Sequence, residues 1–270
     1  MEIRTIVTDC DDTLLRDDLT ISPFTRKVLK MAHDKGIRII LASGRAAASL
    51  RPYVDSLAFG DPYIACNGAV ILDGRTHEVM NEVLFSVETA KECARFFMER
   101  GMYAQYYAGD YFHYSHEGEF NLAYSRETSM QGKLAGNLEK AIVFPVAKIL
   151  GMDTPENIAK AYEEAMALLK NKATITMSKP YFLEMNPPGG SKGEALERLK
   201  SMTDILPETT MAFGDSLNDI SMLRWAKYGV AMENGRDEVK NATKLRCKSN
   251  EADGVAHMIL KDVLKEEIAL

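Results

Sequence analysis

Ile3-Arg4-Thr5-Ile6-Val7-Thr8-Asp9-Cys10-Asp11-Asp12-Thr13-Leu14-Leu15 stands at the head of the chain, and the rest is read outward from it. Ile3 to Thr8 is a short β-branched run that stops on an acid, the pattern of a buried strand with a polar loop at its carboxyl end. Beyond it, Ser22-Pro23 supplies an N-cap and a first-turn proline. Val28, Leu29, Met31 and Ala32 give the helix that follows an apolar side, and Gly36 stops it. Ile37 to Leu41 is a second apolar strand, running into Ala42-Ser43-Gly44. A helix over Ala46 to Leu57 and a third strand over Tyr63 to Cys66 complete a strand, helix, strand, helix, strand order. That order predicts right-handed crossovers and a parallel sheet.

The pattern then changes. Val70 to Leu72 and Val79 to Val83 read as a hairpin, and a helix is expected from Ser86 to Arg100. Two aromatic strands follow, Tyr103 to Tyr107 and Tyr111 to Ser115. Further on come a strand near Ala141 to Leu150, a helix over Thr154 to Lys170, and strands near Ala173 to Met177 and Phe182 to Met185. Pro187-Pro188-Gly189-Gly190 punctuates the chain, after which the alternation returns. A helix starts at Lys192, strands cover Thr210 to Phe213 and Tyr228 to Ala231, and helices start at Leu217 and Gly254. The predicted class is α/β: a doubly wound, Rossmann-like parallel-sheet core of residues 1–83 and 187–270, with an inserted α+β domain at 84–186.

The 270 residues suit one large or two modest domains. Lys plus Arg number 33 against 39 Asp plus Glu, a formal net charge of -6, which speaks against a nucleic-acid or anionic-membrane binder. An anionic substrate then needs local devices: a metal, a Lys or backbone N–H groups. Cys10, Cys66, Cys93 and Cys247 form no CxxC pair and read as reduced thiols. The start of the chain lacks signal-peptide features, and no apolar stretch is long enough to span a membrane. The expectation is a cytoplasmic protein, a monomer or small homo-oligomer.

Ligands of open parallel sheets bind beyond the carboxyl ends of the strands. Three such ends carry chemistry here: Asp9 to Thr13, Ser43-Gly44-Arg45, and Gly214-Asp215-Ser216-Leu217-Asn218-Asp219. Asp9 and Asp11, one residue apart, would share a face on an extended strand. Crowded carboxylates repel unless a cation or a retained proton separates them. With Asp215 they form an all-oxygen donor set without His or Cys, which suits Mg²⁺ better than Zn²⁺. Lys192 can neutralise a phosphoryl group, Ser43 can donate to one, and an Asp carboxylate can attack phosphorus. Taken singly, Asp9 and Asp215 read as turn or cap residues and Lys192 as a surface charge. Taken together at sheet-end loops, they read as a phosphoryl-transfer site.

Asp9-Cys10-Asp11-Asp12-Thr13-Leu14 resembles motif one of the haloacid dehalogenase superfamily, D-x-D-x-T-L. Ser43-Gly44-Arg45 resembles motif two, Gly190-Ser191-Lys192-Gly193 motif three, and Gly214 to Asp219 motif four, G-D-S-x-N-D. The size and position of the insert, with Asn67-Gly68-Ala69, Val230-Ala231-Met232 and Asp253-Gly254-Val255-Ala256, resemble the Cof-like sugar-phosphate phosphatases of subfamily IIB. The resemblance implies Asp9 as nucleophile, Asp11 as general acid and then base, and Mg²⁺ held by Asp9, the Asp11 carbonyl and Asp215. It implies Asp219 in support of the metal and of Lys192, and Ser43, Gly44, Lys192 and Asn218 around the phosphoryl group. Asp12 departs from the Gly usual at its position and brings a negative charge to the phosphate loop.

Tyr103, Tyr106, Tyr107, Tyr111, Phe112 and Tyr114 read as the core of a small sheet rather than a stacking surface. Arg45 stands between a substrate contact and a structural ion pair. The expected activity is Mg²⁺-dependent phosphatase action on a small phosphorylated metabolite of the sugar-phosphate class, with the insert closing over the site as a cap. A phosphotransferase or mutase would share the phosphoenzyme. A non-catalytic sugar-phosphate sensor would not need both Asp9 and Asp11.

Overall fold

The structure is a computed structural model that describes residues 2–266. Met1 and residues 267–270, the outer ends of the expected core segments, lie outside the described residues. The first run is strand β1 (Thr5–Thr8), buried along its whole length. It pairs in parallel with β2 (Arg38–Leu41). The helix between them, Pro23–Asp34, is capped by Ser22 and turns Val28, Leu29 and Ala32 inward.

The third strand departs from expectation. β3 (Tyr63–Ala65) joins the parallel sheet by a single bridge, Ala42 to Ile64, and otherwise pairs antiparallel with β4 (Val70–Leu72), which pairs with β5 (Val79–Glu82). Cys66 and Asn67, at φ of 51° and 58°, turn the chain straight back, so β3 is too short to extend the ladder.

The insert carries β6 (Tyr103–Ala108), β7 (Tyr111–Tyr114), β8 (Gln131–Leu134), β9 (Ile149–Met152), β10 (Thr174–Thr176) and β11 (Phe182–Asn186). They form one sheet in the order β10-β11-β9-β6-β7-β8, antiparallel except for the parallel pair β7–β8. Helices Val87–Met98 and Pro155–Leu169 cover one face, burying Phe97, Tyr106, Ile149 and Leu183. On the other face Tyr103, Tyr107, Phe112, Tyr114 and Phe182 pack with Tyr124 of helix Glu119–Thr128. The aromatic strands are therefore sheet core, with Tyr111 only half-buried.

Helix Glu119–Thr128, β8 and the short helix Leu138–Ala141 have no counterpart among the expected elements. The strand expected near Ala141 to Leu150 shrinks to β9, because Val143 and Phe144 stay exposed in a loop before Pro145. After β11 the chain returns to the parallel sheet with β12 (Thr210–Gly214), β13 (Tyr228–Met232) and β14 (Leu245–Cys247), in the order β14-β13-β12-β1-β2. Helix Asp237–Ala242 and the edge strand β14 were also not expected. β1 lies between β2 and β12, in register Thr8 to Leu41 and Thr8 to Phe213, so their three carboxyl ends open level at one edge. That is the switch point of an open α/β sheet.

Candidate active site

The backbone leaves β1 at Asp9, whose N–H donates to Phe213 O at 3.0 Å, and coils through Cys10–Leu14. Asp9 and Asp11 therefore do not share a face as they would on an extended strand, and their side chains go to different partners. Asp9 Oδ1 accepts from Lys192 Nζ at 2.5 Å. The Asp11 carboxylate is gripped by the Arg45 fork, Nη2 to Oδ1 at 2.6 Å and Nε to Oδ2 at 2.8 Å. Burial opposes ionisation of Asp11, but the bonds and charge of Arg45 prevail and hold it below the usual carboxylate range.

From the end of β12 comes Asp215, which accepts hydroxyl hydrogens from Thr13 at 2.8 Å and Ser216 at 2.9 Å. Asp219 Oδ2 takes the backbone N–H groups of Asp215 and Ser216, both at 2.9 Å, and its Oδ1 takes Lys192 Nζ at 2.5 Å. Asp9, Asp215 and Asp219 are buried and each offers an oxygen within 4.8 Å of the others. Burial and the neighbouring Asp219 charge push Asp9 well above the ordinary carboxylate range, and the same two causes push Asp215 up to about 7. Burial opposes the charge on Lys192, but Asp219 and Asp9 outweigh it and keep the ammonium protonated. A close-packed, all-oxygen set short of positive charge is what a hard divalent cation fits.

Gly44, Arg45 and Asn218 line a cleft together with Asp9, Asp11 and Asp12. Ser43 and Lys192 are 1% and 0% exposed, and Ser43 Oγ accepts the Arg45 N–H at 3.1 Å. Asn218 ends a chain of amides. Asn186 Nδ2 donates to the carbonyls of Cys66 and Ala147, Asn67 Nδ2 to Asn186 Oδ1, and Asn218 Nδ2 to Asn67 Oδ1. Carbonyls only accept, so every amide in the chain has a fixed orientation. A Cβ on Gly44 would come within 2.8 Å of Asn67 Oδ1, and one on Gly68 within 2.2 Å of Ser191 O. Glycine at these two positions lets the loops close around Asn67 and the start of the Lys192 helix.

The far wall comes from the insert: Tyr124, Glu127 and Thr128 from its unforeseen helix, and Lys148, Ser178, Lys179, Phe182 and Glu184. Three of the hydrogen bonds between core and insert meet this wall. Lys148 Nζ donates to Gly44 O at 2.6 Å, Arg45 Nη1 to Glu127 O at 3.1 Å, and Ser216 Oγ to Ser178 O at 2.9 Å.

A family profile for haloacid dehalogenase-like hydrolases matches residues 6–259. The chain belongs to this family. A relative from Bacillus subtilis, 5-amino-6-(5-phospho-D-ribitylamino)uracil phosphatase YwtE, is 30% identical over 95% of this chain and 97% of its own length. Pyridoxal phosphate phosphatase YbhA of Escherichia coli is 27% identical over 98% and 100%. The solved structure of BT4131, a sugar phosphatase of subclass IIB of the superfamily, is 25% identical with a TM-score of 0.84, covering 95% of this chain and 97% of that one. Family and relatives make the chain an enzyme of the phosphatase kind. No helix among the described residues is long and apolar enough to cross a membrane.

In this haloacid dehalogenase-like hydrolase the structure gathers Asp9, Lys192, Asp215 and Asp219 into one cluster, with Gly44, Arg45 and Asn218 beside it. The Asp11 carboxylate stands outside the cluster, on Arg45. The sequence reading missed Thr13, Asn186 and the pair Lys148–Glu184, and gave Asn67 no role. The pair left a faint signal: a lone Lys before Ile149-Leu150 and a lone Glu within Phe182-Leu183-Glu184-Met185, opposite charges set into apolar runs.

Proposed function

We propose that this hydrolase releases phosphate from a small, hydroxyl-rich phosphorylated metabolite of the sugar-phosphate class, through an aspartyl phosphate on Asp9. The observation that carries the reading is the meeting of Asp9, Asp215 and Asp219 around Lys192 where β1 and β12 end. The donor set fits Mg²⁺, which Asp9, Asp215 and the Asp11 carbonyl would hold, with Asp219, already taking three hydrogen bonds, in support. When bound, the ion offsets the repulsion between the phosphate and these carboxylates.

In the first half-reaction an Asp9 oxygen attacks phosphorus, the bond to the leaving oxygen breaks, and Asp11 gives that oxygen its proton. In the second, Asp11 takes a proton from water, which attacks the acyl phosphate and frees Asp9 and inorganic phosphate. Lys192 neutralises charge throughout. Arg45 holds Asp11 ionised, the form needed to accept a proton, so the donating form requires the fork to open. Residues 84–186 act as a cap on a core of 1–83 and 187–270, with the three hydrogen bonds at the cleft wall holding the closed state. The named substrates of the two phosphatase relatives, both small phosphorylated metabolites, support the substrate class.

The test is phosphate release from p-nitrophenyl phosphate, hexose 6-phosphates, ribitol 5-phosphate and pyridoxal 5′-phosphate, with Mg²⁺ and with EDTA. Metal-dependent release, strongest with a sugar or polyol phosphate, is expected. No release from any of them would overturn the reading.

A further inference from the structure

Among the groups lining the cleft that the chemistry above leaves unused is Glu184, on a strand buried at all five positions. Its Oε1 accepts from Lys148 Nζ at 2.8 Å, and both side chains are only 2% exposed. Its Oε2 is buried and has no hydrogen-bond partner. Leaving a buried acceptor unsatisfied costs on the order of 1–3 kcal/mol, more when it is charged. No lysine of the insert among the described residues that line the cleft is spare to satisfy it. Lys148 spends a second hydrogen on Gly44 O at 2.6 Å and lies 4.9 Å from the centre of the Tyr107 ring. The cleft's other insert lysine, Lys179, is engaged by both oxygens of Glu127 at 2.9 Å.

The carboxylate sits against the catalytic loops, since a Cβ on Gly44 would lie 3.5 Å from Glu184 Oε1 and 3.6 Å from Asn218 Nδ2. With the insert closed on the core Oε2 has no open surface, so the donor that would complete the set is one on a substrate seated before closure, just beyond the phosphoryl group. The Lys148 charge already balances the carboxylate, so a neutral hydroxyl fits better than a second ammonium.

We propose that Glu184 selects the leaving group, its Oε2 accepting a hydrogen bond from a hydroxyl of the sugar or polyol phosphate. The inference rests on the phosphatase reading above and narrows it: a good substrate carries a hydroxyl donor near its phosphate, and p-nitrophenyl phosphate, which carries none, is a poor one.

Glu184→Gln is the sharp variant. Its amide oxygen must still face Lys148, which leaves an N–H toward the substrate, so the hydroxyl must turn round to accept and the stronger bond to a carboxylate is lost. The measurement is kcat/KM for the best sugar or polyol phosphate of the panel, for its deoxy analogues, and for p-nitrophenyl phosphate. In Glu184→Gln the ratio of the sugar phosphate to p-nitrophenyl phosphate is expected to fall about tenfold or more. One deoxy analogue should lose a similar factor on the wild type and little further on the variant. Lys148→Met/Glu184→Leu removes the pair without stranding a buried lysine and should show the same fall, which separates selection from misfolding. An unchanged ratio in both variants, with the wild type active, overturns the role of Glu184 alone. A wild type silent on every phosphate overturns the phosphatase reading and this inference with it.

Discussion

Asp12 sits at φ 58°, in the left-handed region where the related motif has glycine. Asp tolerates this region better than most side chains, and Gly forfeits roughly 0.5–1 kcal/mol of chain entropy on folding, so the two nearly cancel. The carboxylate matters more for charge, because it lines the cleft beside Asp9 and Asp11. Asp12→Gly is expected to change stability by less than about 1 kcal/mol and to lower KM for a phosphate monoester severalfold, with kcat little altered. Steady-state kinetics with a melting curve checks this, and an unchanged KM would contradict it. At this scale the candidate site was half legible. Asp9, Asp215 and Lys192 declare themselves because each stands next to a turn at the edge of an apolar run. Glu184 and Lys148 lie 36 residues apart and gain meaning only when β9 and β11 pair.

The strands explain why three carboxylates tolerate each other. β1 and β12 are parallel neighbours, so Asp9 and Asp215 emerge side by side. Lys192 reaches them from the first turn of helix Lys192–Met202, where Ser191 and Glu194 form a capping box. A cation is poorly placed at a helix N-terminus, and the carboxylates it meets outweigh that. One lysine does not balance three acids, and Asp215 is accordingly pushed up from 3.8 to about 7 by burial and by Asp219. A carboxyl group raised in the folded state favours folding fully below its unfolded value, and that contribution is lost as pH rises through the folded value. In EDTA the melting temperature should therefore fall between pH 5 and pH 8. Mg²⁺ should restore more at pH 8 than at pH 5 and should release protons on binding near neutrality. Melting curves with and without Mg²⁺, and calorimetry in two buffers of different ionisation enthalpy, test this. An equal Mg²⁺ effect at both pH values would contradict it.

Over the whole molecule, the parallel sheet was legible because its central strands are buried on both faces and read as unbroken apolar runs between polar loops. Helix Glu119–Thr128 was not, because it buries only Asn121, Tyr124 and Thr128 and shows no apolar stripe. That helix supplies Tyr124, Glu127 and Thr128 to the cleft, so a less legible part of the chain lines it. On the proposed function, the sheet end would hold what every phosphate monoester shares, and the insert what distinguishes one leaving group from another.

Both halves depend on the same event at Asp9. The most direct test is to acid-quench the enzyme while it turns over p-nitrophenyl [³²P]phosphate with Mg²⁺ and to map the labelled peptide. A hydroxylamine-labile phosphate on Asp9 is expected, absent from Asp9→Asn, whose turnover should fall by a factor of about 1,000 or more. Turnover by Asp9→Asn at the wild-type rate, or label on any other residue, would contradict the account.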